Sequence, residues 1–261
     1  MKTVILCGGF GTRIRDVADN IPKPMIPVGG KPIIWHIMKY YSYWGHKEFV
    51  LCLGYKGQVI KDFFLNYEAS TSDLTLTLGK NGTTEYHTEH SEIGWKITLA
   101  ETGLGTLTGS RVKRIQHYLV GEENFMLTYG DGVGTVDIEK LIDFHKSHGK
   151  IMTVSGMRPP GRFGELELSD TNAITGFNEK PQATGGRISG GYFVCRKEIF
   201  DYIDAVGNIT LEQEPMRKLA NDGQMMMYEH DGFWQPMDTY RDYTLLNGLV
   251  DKKEAPWMVW Q

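Results

Sequence analysis

A chain of 261 residues can bury one large core or two modest ones, and 41% hydrophobic with 23% charged residues is the balance of a soluble globular enzyme. A net charge of −4 excludes a general attraction to nucleic acid, so any anion bound here must be met by a local cluster of cations. Three well-separated cysteines, Cys7, Cys52 and Cys195, give neither a disulfide framework nor a zinc spacing and suit a reducing cytoplasm, and no signal-peptide start or membrane-length apolar run is present.

Residues 4–7 read as a buried strand that runs into glycines. Residues 31–44 read as a helix, with Pro32 near its start, Ile33, Ile34, Ile37, Met38 and Tyr41 on one face, and Gly45 as its stop. A buried strand at 49–53 and a helix at 58–66 follow. Residues 71–94 are mostly polar, and the alternation of Leu74, Leu76 and Leu78 predicts a surface insertion with a β-excursion. Strands are predicted at 95–100 and 125–128, with helices at 111–120 and 138–148. The second half is richer in strands, at 152–157, 165–168, 174–177, 192–195 and 225–228, with helices after Thr210 and over 239–250. Strands alternating with helices predict an α/β fold with a Rossmann-like, mostly parallel central sheet flanked by helices. No linker interrupts the chain, so 1–261 reads as one continuous domain. Its nucleotide-binding half is 1–135, and its strand-rich half for a second substrate is 136–261.

The sharpest motif is Gly8-Gly9-Phe10-Gly11-Thr12-Arg13, followed by Pro22-Lys23-Pro24. Glycines let the backbone turn and approach a ligand, and successive N–H groups in such a turn cradle an anion. Arg13 offers a fork for phosphate oxygens, and Lys23 is restrained by a proline on each side. Glycines alone would also fit a generic strand-to-helix turn. A Walker loop is excluded because Thr12-Arg13 stands where Lys-Ser/Thr is needed, and a dinucleotide fingerprint because position 14 is Ile. Asp131, between Gly130 and Gly132 at a strand end, is placed to hold a hard cation or to act as an acidic turn residue. Asp131-Gly132-Val133 is not the Asp-x-Asp of many glycosyltransferases. The loop 102–111 suits an anion or a helix cap, Glu179-Lys180 a ligand or a solvated pair, and Asp238 a cation or a helix N-cap. His145 and His148 lack partners for a metal site and read as surface or structural residues.

With these motifs the chain resembles, along nearly its whole length, the sugar-phosphate nucleotidyltransferases, whose signature is a Gly-Gly-x-Gly-Thr-Arg loop followed by Lys-Pro. Thr102-Gly103-Leu104-Gly105-Thr106-Leu107-Thr108-Gly109-Ser110-Arg111 and Phe233-Trp234-Gln235-Pro236-Met237-Asp238-Thr239 resemble the cytidylyl-transferring branch. The resemblance implies a nucleotide-diphospho-sugar transferase fold, with CTP and glucose 1-phosphate as substrates and CDP-glucose and pyrophosphate as products. It implies catalytic roles for Arg13, Lys23 and Asp131. Leu6, Gly8, Gly9, Gly11, Thr12, Thr106, Arg111 and Gly130 would join Arg13 and Lys23 around the nucleotide. Tyr129, Glu179, Lys180 and Gly191 would meet the sugar phosphate, and Asp131 with Asp238 would hold Mg²⁺. Phe163-Gly164 departs from the Tyr-Gly pair of many relatives, which removes one hydroxyl. The resemblance also implies a homo-oligomer, a hexamer being one form, and a place in dideoxyhexose and lipopolysaccharide O-antigen synthesis. Uridylyl or thymidylyl transfer, and a non-catalytic regulatory paralogue, stay open as alternatives.

Overall fold

The computed structural model describes residues 1–11, 14, 21–159, 165–168, 171, 173–178 and 186–260. Its centre is a seven-stranded sheet of β1 (Thr3–Leu6), β2 (Glu48–Leu53), β3 (Lys96–Glu101), β4 (Asn124–Tyr129), β5 (Met152–Met157), β6 (Ile188–Arg196) and β7 (Met225–His230). The spatial order is β7-β5-β6-β4-β1-β2-β3. β3, β2, β1 and β4 run parallel, β6 runs antiparallel to both β4 and β5, and β7 is parallel to β5.

Apolar residues fill both faces of the inner strands, because side chains alternate and helices cover each side. Ile5, Leu51, Met126 and Val194 face one core, with Ile33 and Ile37 of α1 (Ile33–Tyr43) and Ile60 of α2 (Gly57–Leu65). Val4, Val50, Leu127 and Phe193 face the other, with Val112 of α3 (Thr108–Arg114). The first core also takes Leu141 of α4 (Ile138–His148), and the second takes Leu219 of α5 (Glu214–Asn221). Leu246 of α6 (Tyr240–Asp251) and the fully buried Trp257 complete the first core. The Trp257 indole donates to His36 Nδ1 at 3.3 Å, and His36 Nε2 lies 2.8 Å from the Val28 carbonyl, so the ring is neutral with its proton on Nε2. Burial lowers the His36 pKa to about 4, which keeps it so.

The insertion forms a two-stranded hairpin, Leu74–Thr77 with Thr83–Tyr86, and returns to the body through the buried pair of Lys39 and Glu92 at 2.6 Å. The helix expected at 111–120 starts earlier, at Thr108, and after Arg114 tightens into a 3-10 turn, Gln116–Leu119. The strand expected at 192–195 is longer, because a bulge at the glycines lets pairing resume at Ser189 opposite Gly156. His145 and His148 are structural: both rings hydrogen-bond Thr153 Oγ1 at 2.8 Å. The N-cap of α6 is Thr239, in a reciprocal capping box with Asp242, so Asp238 stands one residue outside the helix.

Candidate active site

The ends of β1 and β4 leave the sheet side by side, and ligands of open α/β sheets bind beyond such carboxyl ends. A cavity of about 340 Å³ opens there, lined by Leu6, Gly8, Gly9, Phe10, Gly11, Lys23, Thr106, Thr108, Arg111, Gly130 and others. A second cavity of about 270 Å³ lies next to it, lined by Thr128, Ser189, Gly190, Gly191, Tyr192 and Trp234 among others. Tyr129, Asp131 and Asp238 line both.

Lys23 lines the first cavity, against the two shared carboxylates. Pro22 and Pro24 flank it and shape the short turn that carries it, with the Met25 N–H donating to the Pro22 carbonyl at 2.8 Å. Its Nζ donates to Asp131 Oδ2 and to Asp238 Oδ1, each at 2.6 Å. Burial disfavours the charged ammonium, but the Asp131 and Asp238 carboxylates outweigh it, and the pKa of Lys23 lies above its ordinary value.

Asp238 is far from Asp131 in sequence and reaches it through a ribbon. Trp234–Pro236 pairs antiparallel with Gly132–Gly134, Pro236 facing Gly132, and the Met237 N–H then donates to the Asp131 carbonyl at 2.8 Å. Two carboxylates converging on one ammonium form a hard, all-oxygen donor pair that already favours a cation. Among the described residues no cluster of three or more His, Cys, Asp or Glu side chains could hold a metal. Two carboxylates are a donor set that suits a hard divalent cation whose other positions are left to water and phosphate oxygens.

Arg111 lies almost wholly inside the wall of the first cavity. Its guanidinium donates to the Leu53 carbonyl at 2.9 Å, Thr102 Oγ1 at 2.7 Å, the Gly8 carbonyl at 3.0 Å and the Leu104 carbonyl at 3.3 Å. It thus ties together the segments leaving β1, β2 and β3. Gly8 has to be glycine, since a Cβ there would run into this guanidinium. Among the described residues Arg111 meets no carboxylate, and its charge is held by the Leu53, Gly8 and Leu104 carbonyls and the Thr102 hydroxyl beside the first cavity. Thr106 is also buried, its hydroxyl accepting from Arg114 at 2.9 Å.

The structure therefore gathers Leu6, Gly8, Gly9, Gly11, Lys23, Thr106, Arg111, Gly130, Asp131 and Asp238 around the first cavity, and Tyr129 and Gly191 around the second. Thr12, Arg13, Glu179 and Lys180 lie outside the described residues. Sequence reasoning passed over Phe10, half exposed at the first cavity and 5.2 Å from the Tyr55 ring, although an exposed aromatic among glycines was a signal. It also passed over Thr108, Ser189 and Trp234 as lining residues. Cys7, whose thiol burial pushes well upward, lies in the first wall as an inert group.

Two adjoining cavities that share a dicarboxylate wall, with a lysine ammonium on the side of the first, lie at the carboxyl edge of a Rossmann-like sheet and give the layout of an enzyme that brings two ligands together. The chain belongs to the nucleotidyl transferase family, whose profile matches residues 2–248, and it is a nucleotidyltransferase. It is 48% identical over 261 residues, 100% of each chain, to the glucose-1-phosphate cytidylyltransferase of Salmonella typhi. The glucose-1-phosphate cytidylyltransferase of Salmonella typhimurium (strain LT2) matches to the same extent, also 48% over the full length of both. The crystal structure of HddC from Yersinia pseudotuberculosis shares the fold, with a TM-score of 0.67 at 23% identity, covering 95% of this chain and 99% of that one.

Proposed function

We propose that the protein transfers a cytidylyl group from CTP to α-D-glucose 1-phosphate, forming CDP-glucose and releasing pyrophosphate. The observation that carries the reaction type is the wall of Asp131 and Asp238 common to two cavities, with Lys23 bonded to both carboxylates on the side of the first, which allows one ligand on each side and transfer between them. The base and the sugar rest on the full-length likeness to the two Salmonella cytidylyltransferases.

In this reading the glucose 1-phosphate oxygen attacks the α-phosphorus in line, a new P–O bond forms, and the bond to pyrophosphate breaks. The attacking group is already an anion, so the protein needs no nucleophile of its own; its work is positioning and charge stabilisation. The cavity between the strand ends and α3 holds CTP, and the 1–135 half supplies most of that wall. The second cavity, built mainly from 136–261 residues, holds the sugar phosphate against Tyr129 and Gly191. Lys23 meets an α-phosphate oxygen, Arg13 the leaving phosphates, and Lys180 the attacking phosphate, with Glu179 toward the sugar. Asp131 and Asp238 hold Mg²⁺, which when bound neutralises triphosphate charge as a Lewis acid. The same reading has the enzyme act in the cytoplasm as a homo-oligomer; no helix among the described residues is long and apolar enough to cross a membrane.

The test is pyrophosphate release from purified protein with Mg²⁺ and glucose 1-phosphate, offering CTP, UTP, dTTP, ATP and GTP separately. Strong preference for CTP is the expected result. Preference for another nucleotide overturns the cytidylyl assignment and leaves the nucleotidyl transfer intact.

A further inference from the structure

Tyr129 is the aromatic side chain among the three residues that line both cavities, and three contacts fix it. Its ring lies against Gly191, where the backbone has φ +77° and an added Cβ would run into the ring. It stands edge-on to Phe193, with centroids 5.8 Å apart at 80°. Its hydroxyl donates a short hydrogen bond to Glu212 Oε1.

Glu212 is an exposed residue in the turn ahead of α5, where an acid would ordinarily read as part of a solvated face. Both of its oxygens are engaged. Oε2 accepts from Thr108 Oγ1 at 2.6 Å, and that hydroxyl in turn accepts from the Leu211 N–H at 2.9 Å. Thr108 opens α3 and lines the first cavity. One carboxylate therefore joins the nucleotide-side loop to the partition, with charge-assisted bonds at both ends. The Glu212 charge has the same sign as both substrates, so attraction to phosphate is not its contribution.

Building on the proposed transfer between two cavities, we propose that Glu212 is a positioning residue that holds Tyr129 as the partition and thereby shapes the sugar-phosphate site. Without it the ring keeps its contacts with Gly191 and Phe193 but loses the bond that fixes its tilt. The sugar phosphate then loses a defined wall, while the nucleotide keeps Lys23 and the glycine loop.

The experiment is steady-state kinetics on Glu212→Ala, Glu212→Gln, Tyr129→Phe and the Ala/Phe double variant, with thermal melting alongside. Glu212→Ala should raise KM for glucose 1-phosphate about tenfold, the loss of one charge-assisted bond, with KM for CTP changed by less than about twofold. Glu212→Gln keeps an acceptor for the phenol and should recover most of the loss. Tyr129→Phe should reproduce the alanine effect, and the double variant should be no worse than either single one, because the two act as a unit. The proposal is overturned if KM for glucose 1-phosphate stays within about twofold in Glu212→Ala. It is also overturned if both KM values and the melting temperature shift together, or if Glu212→Gln is as impaired as Glu212→Ala. Wild-type protein on the same substrates is the control for the parent reading. If it prefers another nucleotide or sugar phosphate, the same KM split is read on that pair, and the two ideas fail separately.

Discussion

Replacing Lys23 by alanine removes the ammonium that lines the first cavity and bonds both carboxylates of the wall shared by the two cavities. The side chain is 12% exposed and donates to Asp131 and Asp238 at 2.6 Å each. Its removal leaves two carboxylates facing each other where phosphate charge must gather. A preorganised donor aimed at charge that develops in the transition state is worth about 2.7–4 kcal/mol, so kcat should fall about 10²–10³-fold. Stability should move far less. Asp131 and Asp238 are 34% and 30% exposed, and water screens the charges left behind, which limits the loss to about 1 kcal/mol. Lys23→Arg should not restore the rate, because a planar fork cannot sit as a point charge between the two oxygens. The assay is pyrophosphate release under saturating substrates, with thermal melting on the same samples. A kcat within about threefold of wild type, less than 1 kcal/mol of barrier, refutes the catalytic role. A collapse in melting temperature with the rate lost in proportion would make Lys23 a structural strut.

Two other outcomes follow from the same geometry and from the buried histidines. Lys23→Met removes the internal cation from Asp131 and Asp238, so Mn²⁺ should bind the nucleotide-free protein more tightly than it binds wild type; electron paramagnetic resonance titration showing equal affinity would refute that competition. His36 and His145 are each 1% exposed, and burial lowers both from 6.5 to about 4. Between those values the unfolded chain binds more protons than the folded one, so stability is full above about pH 6.5 and declines as pH falls toward 4. At the lower end each histidine accounts for on the order of 3 kcal/mol, being 2.5 pH units at about 1.4 kcal/mol each. The melting temperature should drop from ~pH 7 to ~pH 5, and His145→Gln should flatten the slope; identical slopes in the two proteins would exclude His145 as a source.

What the sequence revealed and what it hid divide along physical lines. Helix 138–148 and strand 152–157 were legible to the residue, because Asp137 caps the helix, Gly149 ends it in a left-handed turn, and the strand is a short run of uncharged residues, buried on both faces. Lys23 and Asp131 were legible as candidates, because prolines and glycines at strand ends mark where backbone meets ligand. Their meeting with Asp238 was carried by family resemblance and by no local pattern. The ribbon that delivers Asp238 has three residues on each strand, too few to show a periodicity. Arg111 was expected beside the nucleotide, and nothing in its neighbours along the chain announces that it also binds carbonyls beyond β1 and β2.

The direction of β6 is the clearest case of what periodicity cannot carry. The apolar run at 192–195 marked a strand but is the same read either way along the chain. Because β6 runs antiparallel to β4, it enters the sheet at the edge where β1 and β4 leave it, with Tyr192 opposite Thr128. A parallel strand would have brought its carboxyl end, Cys195 and Arg196, to that edge. The antiparallel one brings its start, and with it Ser189, Gly190 and Gly191 line the second cavity. Gly191 then meets the Tyr129 ring, which leaves room for a flat aromatic partition where any larger residue would push it aside. The wall between the two cavities is thus a consequence of one strand's direction, and the glycine pair that reads from sequence as a point of close backbone approach is what that direction requires.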